Sequence, residues 1–252
     1  MIPLSDDNPT LRTPVMTIAL LVVIWAVWIL VQGMGQPMAL AVSVCNLGMV
    51  PGELTRLAPV GSGVPLGRGL ACVVDQEPVN VVTPLLSIFL HGGWGHILGN
   101  SLYLWVFGNN VEDSMGRLRF LGFYLLTGLA AAAAHVAVDP GSPVPTVGAS
   151  GAISGVMGAY LLLYPRVHVQ TFVPPFFLVQ LPAWTVLVLW FASQLLAGLP
   201  QLMTLRPEIS GGVALWAHVG GFVAGVVLLP AFRDPSLVRR RRALGDARVV
   251  WR

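Results

Sequence analysis

Lysine is missing from this 252-residue sequence: all fourteen basic residues are arginine. With its many alanines, glycines and prolines, that bias points to a GC-rich bacterial genome. Charge of either sign is scarce too, at 10% of residues against 55% hydrophobic ones, and mean hydropathy is +0.76. An ordinary soluble domain carries roughly a quarter charged residues, so a multi-span membrane protein is expected instead. The net charge of +3 does not mark a nucleic-acid binder, because the arginines are scattered and then bunch near the C-terminus. That pattern is a topology signal. The apolar stretches contain no Asp or Glu, which excludes a site built from two intramembrane carboxylates. No His-Glu-x-x-His run exists, so that zinc-binding pattern is excluded. Internal repeats and paired intramembrane charges are also missing, which argues against a channel or transporter. The first apolar run is too long and too late for a cleaved signal, and no small-residue cleavage site follows it.

What is present is a series of apolar runs. Val15 to Val31 reads as a first span, long enough for a ~30 Å hydrocarbon core. A long Gly- and Pro-rich connection, Gln32 to Thr83, follows; loops of that length are functional or packed against the fold. Gly93 to Asn110 reads as a second helix, interrupted by His96, Asn100 and Asn109, and a charged turn runs from Asn110 to Arg119. Leu118 to Val138 is the third span. Ser150 to Tyr164 is a fourth helix, whose ~22 Å at 1.5 Å per residue is too short to cross, so its first residue should sit recessed. Phe177 to Leu199 is the fifth span, bent or restarted at Pro182, and Val213 to Phe232 the sixth. The expected architecture is all-α: a loose, polar cytoplasmic tail over 1–13, a six-helix membrane domain over 14–232, and an Arg-rich cytoplasmic tail over 233–252.

Placing both termini in the cytoplasm puts all the arginines except Arg56, Arg68 and Arg206 on the inner side, as the positive-inside rule asks. Spans two, four and six then run from outside to inside. His96 and Asn100 fall in the first turns of one, Ser150 opens the next, and His218 lies in the second turn of the last. Three helices thus bring their unusual polar groups to one depth below the outer surface.

Serine is a poor nucleophile until a base takes its proton, and histidine, with a free pKa of ~6.5, suits that role. Ser150 and His218 would form a two-member version of the serine-protease arrangement, held in place by packing. Gly155 and Gly158 follow Gly151 at i+4 and i+7, and Gly221 and Gly225 follow His218 at i+3 and i+7. Each set lines a helix face that permits close approach. His96 and Asn100, at i and i+4, are candidate oxyanion donors, joined by the Ser150 backbone N–H at a helix N-terminus. Gly148 and Gly151 leave room for a substrate backbone. Blander roles fall to the rest: Ser154 and Ser193 bonding a carbonyl one turn back, His135 as interhelical glue, and His168 as a solvated loop residue.

These residues together resemble the rhomboid family of intramembrane serine proteases, in its bacterial form. His91-Gly92-Gly93-Trp94-Gly95-His96-Ile97-Leu98-Gly99-Asn100 resembles the second-helix motif, Gly148-Ala149-Ser150-Gly151 the nucleophile motif, and Ala217-His218 with Gly221 and Gly225 the last-helix motif. The charged turn followed by Phe120 fits as well, and the similarity runs from about Thr83 to Leu229. The resemblance implies Ser150 as nucleophile, His218 as general base and acid, His96 and Asn100 at the oxyanion, and His91 shaping the nearby loop. It also implies a protease of the bacterial plasma membrane, opening to the outer side and cutting single-span or multi-span membrane proteins, with no metal or cofactor. Two features depart from the family. Ser154 stands where many members carry an aromatic against the histidine, and the Trp-Arg pair common before the second helix is missing. A catalytically silent relative, the rival reading, would have lost the serine or the histidine. A regular helix shields its carbonyls, so substrates with Gly, Ala, Ser or Pro near the outer membrane edge are expected. Cys45 and Cys72 both fall in the outer loop, where a disulfide can persist; a bridge and two unpaired thiols both fit.

Overall fold

A computed structural model describes residues 1–67, 69–175, 177–204 and 214–241. Arg68, Arg206, Arg242, Arg248 and Arg252, used in weighing the two sides, lie outside the described residues, as do Val213 and the tail beyond 241.

Strand β1 (Ile2–Asp6) precedes helix α1 (Val15–Leu30). α1 buries Thr17, Leu20, Ile24 and Trp28 on one stripe, and leaves Val22 and Leu30 exposed. Its outer face is thus as apolar as its inner one, which suits a lipid surround. Residues expected as a long loop instead build α2 (Pro37–Leu47), α3 (Pro51–Thr55) and an antiparallel hairpin of β2 (Gly63–Gly67) and β3 (Leu70–Val73), and α4 (Thr83–Leu86) starts where that loop was expected to end. Cys45 and Cys72 are bonded, with Cα atoms 5.1 Å apart, so α2 is tied to β3.

The next helix overruns its expected end. α5 (Trp94–Tyr103) continues through a π turn at Leu104–Gly108 into α6 (Asn109–Met115). Residues 111–115, expected in a turn, are therefore helical, and the reversal falls at Gly116, whose φ of +83° glycine adopts freely. Then come α7 (Arg117–Val138), α8 (Ser150–Leu163), β4 (His168–Val173), β5 (Phe177–Pro182), α9 (Ala183–Thr204) and α10 (Leu215–Phe232).

Two further expectations are corrected here. Residues 177–182 are not helical: β5 pairs antiparallel with β4, and β4 with β1. Pro182 lacks the N–H that would extend a helix through it, so α9 begins one residue later. The fold is mostly helical rather than all-α, and the first residues are not loose, because β1 forms the outer edge of this sheet. His168 is exposed but opens β4.

Helix α8 is the centre of the molecule, and every residue from Gly151 to Tyr160 is buried. It lies against α7 and α10 at backbone contact. A methyl group at Gly221 would collide with the carbonyl oxygen of Gly151, one at Gly225 with that of Gly155, and one at Gly158 with that of Phe222. Small residues at these positions are what allow the helices to meet so closely.

By length and composition, α7 and α10 can each cross a membrane, and the bent pair Pro78–Phe89 with Trp94–Met115 makes up to a third. α1 and α8 are apolar but shorter, at 16 and 14 residues. Among the described residues, length and composition by themselves thus mark two or three of the six expected spans.

At the Leu163 end of α8 the polar groups converge. Glu112 accepts hydrogen bonds from the backbone N–H groups of Met16 and Thr17, at 3.0 and 2.8 Å, and from the Thr17 hydroxyl. A carboxylate thus caps the positive end of α1. Asp113 accepts from the Leu11 N–H and from Arg241, each at 2.6 Å. Arg241 also reaches Asn8 and Asn110, and its guanidinium sits over the Tyr164 ring at 4.8 Å. Asp6 accepts from the Tyr160 hydroxyl and from the Asn110 amide.

Candidate active site

The nucleophile candidate owes its position to the loop before it. Gly148 donates its N–H to Ser87 O at 2.9 Å. Its φ of +135° disfavours any other residue, and a Cβ there would also strike the His96 imidazole. Met49 and Thr146 exchange two backbone hydrogen bonds, and Thr146 Oγ1 lies 3.0 Å from His135 Nε2. His135 therefore joins α7 to this loop, not to another helix. Ser150 then opens α8 with Ser154 Oγ donating to its carbonyl at 2.6 Å. A cavity of about 30 Å³, bordered by Ser87, Thr146, Ser150 and Ala217, has room for a water.

From α10, His218 Nε2 reaches Ser150 Oγ at 2.7 Å. The glycine contacts just described are what bring the two helices within that reach. On the other side of the ring, His218 Nδ1 lies 2.7 Å from Gln194 Oε1 on α9. Trp190, one turn earlier on α9, packs on the imidazole with centroids 5.7 Å apart. An aromatic therefore does stand against the histidine, supplied by a neighbouring helix rather than by position 154. Gln194 and Trp190 were not singled out from the sequence. Their only signal was one amide and one indole a turn apart in an apolar helix.

His96 and Asn100 share a face of α5. The Gly92 N–H donates to His96 Nδ1 at 3.2 Å, so the ring proton sits on Nε2, available as a donor. That Nε2 and Ser150 Oγ both lie within 3.4 Å of the point where a Cβ on Gly148 would stand. Asn100 is buried, and its Nδ2 has no partner. His91 is fully buried, edge-on to His96 at 5.1 Å. Gln32 holds its backbone at both ends, accepting from His91 N and donating to His91 O at 2.8 Å each. Among the described residues, no group of His, Cys, Asp or Glu is arranged to hold a metal ion.

A helical membrane protein with a Ser–His pair between two glycine-lined helices, and a His–Asn face beside it, is the class this geometry defines. The Rhomboid domain model matches residues 77–234, and the chain belongs to the rhomboid family. Rhomboid protease GluP of Bacillus subtilis (strain 168) is 44% identical over 77 residues, covering 31% of this chain and 15% of that protein. Putative rhomboid protease YdcA of the same organism is 36% identical over 91 residues, covering 36% and 44%. Rhomboid-like protein 11, chloroplastic, of Arabidopsis thaliana is 32% identical over 148 residues, covering 57% and 49%. The chain thus aligns with less than half of each of these relatives.

Proposed function

We propose that this protein is an intramembrane serine endopeptidase that hydrolyses peptide bonds in or near transmembrane segments of other membrane proteins. The observation that carries this reading is the 2.7 Å approach of Ser150 Oγ to His218 Nε2. His218 takes the serine proton as Oγ attacks the scissile carbonyl carbon. The oxyanion is met by His96 Nε2–H, the Asn100 amide and the Ser150 N–H. His218 next gives its proton to the departing amine, leaving an acyl ester on Ser150. Water, deprotonated by His218, releases the acyl product and restores the serine. No metal or cofactor takes part.

The membrane domain spans 14–232 with six crossings, both termini cytoplasmic and the site opening outward. At 14 residues, α8 covers about 21 Å, which supports a nucleophile recessed below one surface. Substrates are single-span or multi-span proteins presented from the bilayer and locally unwound by Gly, Ala, Ser or Pro. The alternative, a catalytically silent binding factor, is disfavoured by the intact Ser–His contact.

Labelling of detergent-solubilised protein with a fluorophosphonate probe tests the reading. Wild type should label, Ser150→Ala should not, and His218→Ala should label far more slowly. Equal labelling of wild type and Ser150→Ala would end the enzyme reading.

A further inference from the structure

Resting on that reading, we infer that Gln194 is a positioning residue for His218, fixing which ring nitrogen carries the proton and aiming the other at Ser150. A neutral imidazole has one N–H and one lone pair, and only the form with the lone pair on Nε2 can accept the serine proton. The neighbouring hydrogen bonds decide between the two forms. Ser193 Oγ donates to the backbone carbonyl of Trp190 at 2.6 Å, which commits its hydrogen. Its lone pair then accepts from Gln194 Nε2, 3.3 Å away. With the amide nitrogen turned to Ser193, the oxygen Oε1 faces His218 Nδ1 at 2.7 Å. An oxygen there is only an acceptor, so Nδ1 carries the proton and the Nε2 lone pair points to Ser150 Oγ. The relay thus starts at a helix carbonyl, which has no alternative role.

The choice of an amide has a physical reason. When His218 takes the serine proton it becomes a cation, and its Nδ1–H bond to Gln194 becomes charge-assisted and stronger. A carboxylate would do more for the cation, but an ionised acid is expensive at membrane depth when the imidazole is neutral. Gln194 supplies the acceptor without that standing cost. Trp190, on the same face of α9, limits the ring's tilt, so one helix turn sets both the proton and the plane of the base.

Three variants test the inference in detergent with a transmembrane peptide substrate: Gln194→Met, Gln194→Glu and, as control, Ser150→Ala. Gln194→Met keeps the shape and removes the acceptor; kcat should fall roughly 10- to 100-fold with KM and melting temperature unchanged. Gln194→Glu retains an acceptor oxygen and should recover most of that loss. Nitrogen-15 NMR of labelled histidine should place the His218 proton on Nδ1 in wild type and on both nitrogens in Gln194→Met. Wild-type kcat and an unaltered nitrogen signature in Gln194→Met would overturn the inference. A loss confined to KM or stability, with no rescue by Glu, would overturn it equally. If Ser150→Ala is inactive in the same assay while Gln194→Met turns over at the wild-type rate, the dyad stands and only the role of Gln194 falls.

Discussion

The two ends of α8 are built on opposite principles. At the Ser150 end the chain is held by backbone contacts, glycine spacing and a few neutral hydrogen bonds. At the Tyr160–Tyr164 end it is fastened by ions: Asp6, Asp113 and Arg241 close on two tyrosines. The difference teaches where charge is tolerated. A reacting centre inside a membrane must keep its groups neutral until the proton moves, because an unpaired ion there is costly. The anchoring end can hold charge because each ion meets a partner, and it leaves the other end free to carry only what the chemistry requires.

Gly221→Ala should break the comparison most severely. The added methyl meets the Gly151 carbonyl oxygen, so α10 must withdraw and carry His218 away from Ser150. An ångström of displacement at a reacting centre costs roughly 100-fold in kcat, and overpacking adds about 3 kcal/mol of destabilisation. Turnover and thermal melting in detergent check both; wild-type values in each would mean that the approach of the helices is not set at Gly221. Asp113→Asn sharpens the contrast from the other side. Asp113 and Arg241 side chains are only 4% and 7% exposed, so the variant strands a buried guanidinium. Stability should fall by about 3 kcal/mol while turnover per folded molecule stays intact. A loss of kcat without a loss of melting temperature would show that the two ends are not separable.

The smallest effect is a pH slope. Burial pushes the Asp6 carboxyl up from 3.8 to about 6, outweighing the Tyr160 hydroxyl and the nearby Arg241. The folded state therefore holds this proton more tightly than the unfolded chain does. Between pH about 4 and 6 that makes stability fall as pH rises, through this group. Subtracting the melting profile of Asp6→Asn from that of wild type, in detergent from pH 4 to 7, should expose this slope. A flat difference would remove Asp6 from the ion network's energetics.

The arrangement at the Ser150 end was largely legible in the sequence and that at the anchoring end was not, for a physical reason. Ser150, His218, His96 and Asn100 are polar residues in apolar helices, and helix direction alone sorts them to one depth. Gln194 escaped notice because its meaning depends on how α9 leans on α10, which no local pattern encodes. Glu112 and Asp113 read as part of a charged turn because adjacent acids beyond an apolar helix are mostly found there. Their burial depends on the α1 N-terminus and on Arg241, 128 residues downstream of Asp113. The strand at residues 2–6 was hidden in the same way, since a short segment holding a proline and an acid becomes a strand only when β4 is there to pair with it.

The cluster of Asp6, Asp113 and Arg241 at the anchoring end also sets an order of events during synthesis. Its first half, residues 6–12, leaves the ribosome before any helix exists, and its last piece, Arg241, emerges after α10 is complete. A nascent chain stopped at residue 232 already owns Ser150, His218 and the Asp6–Tyr160 contact, yet lacks the guanidinium that joins Asp113 to Asn8 and covers Tyr164. That part of the fold is thereby completed only after α10 has been made, when residues from both sides of the helical core meet.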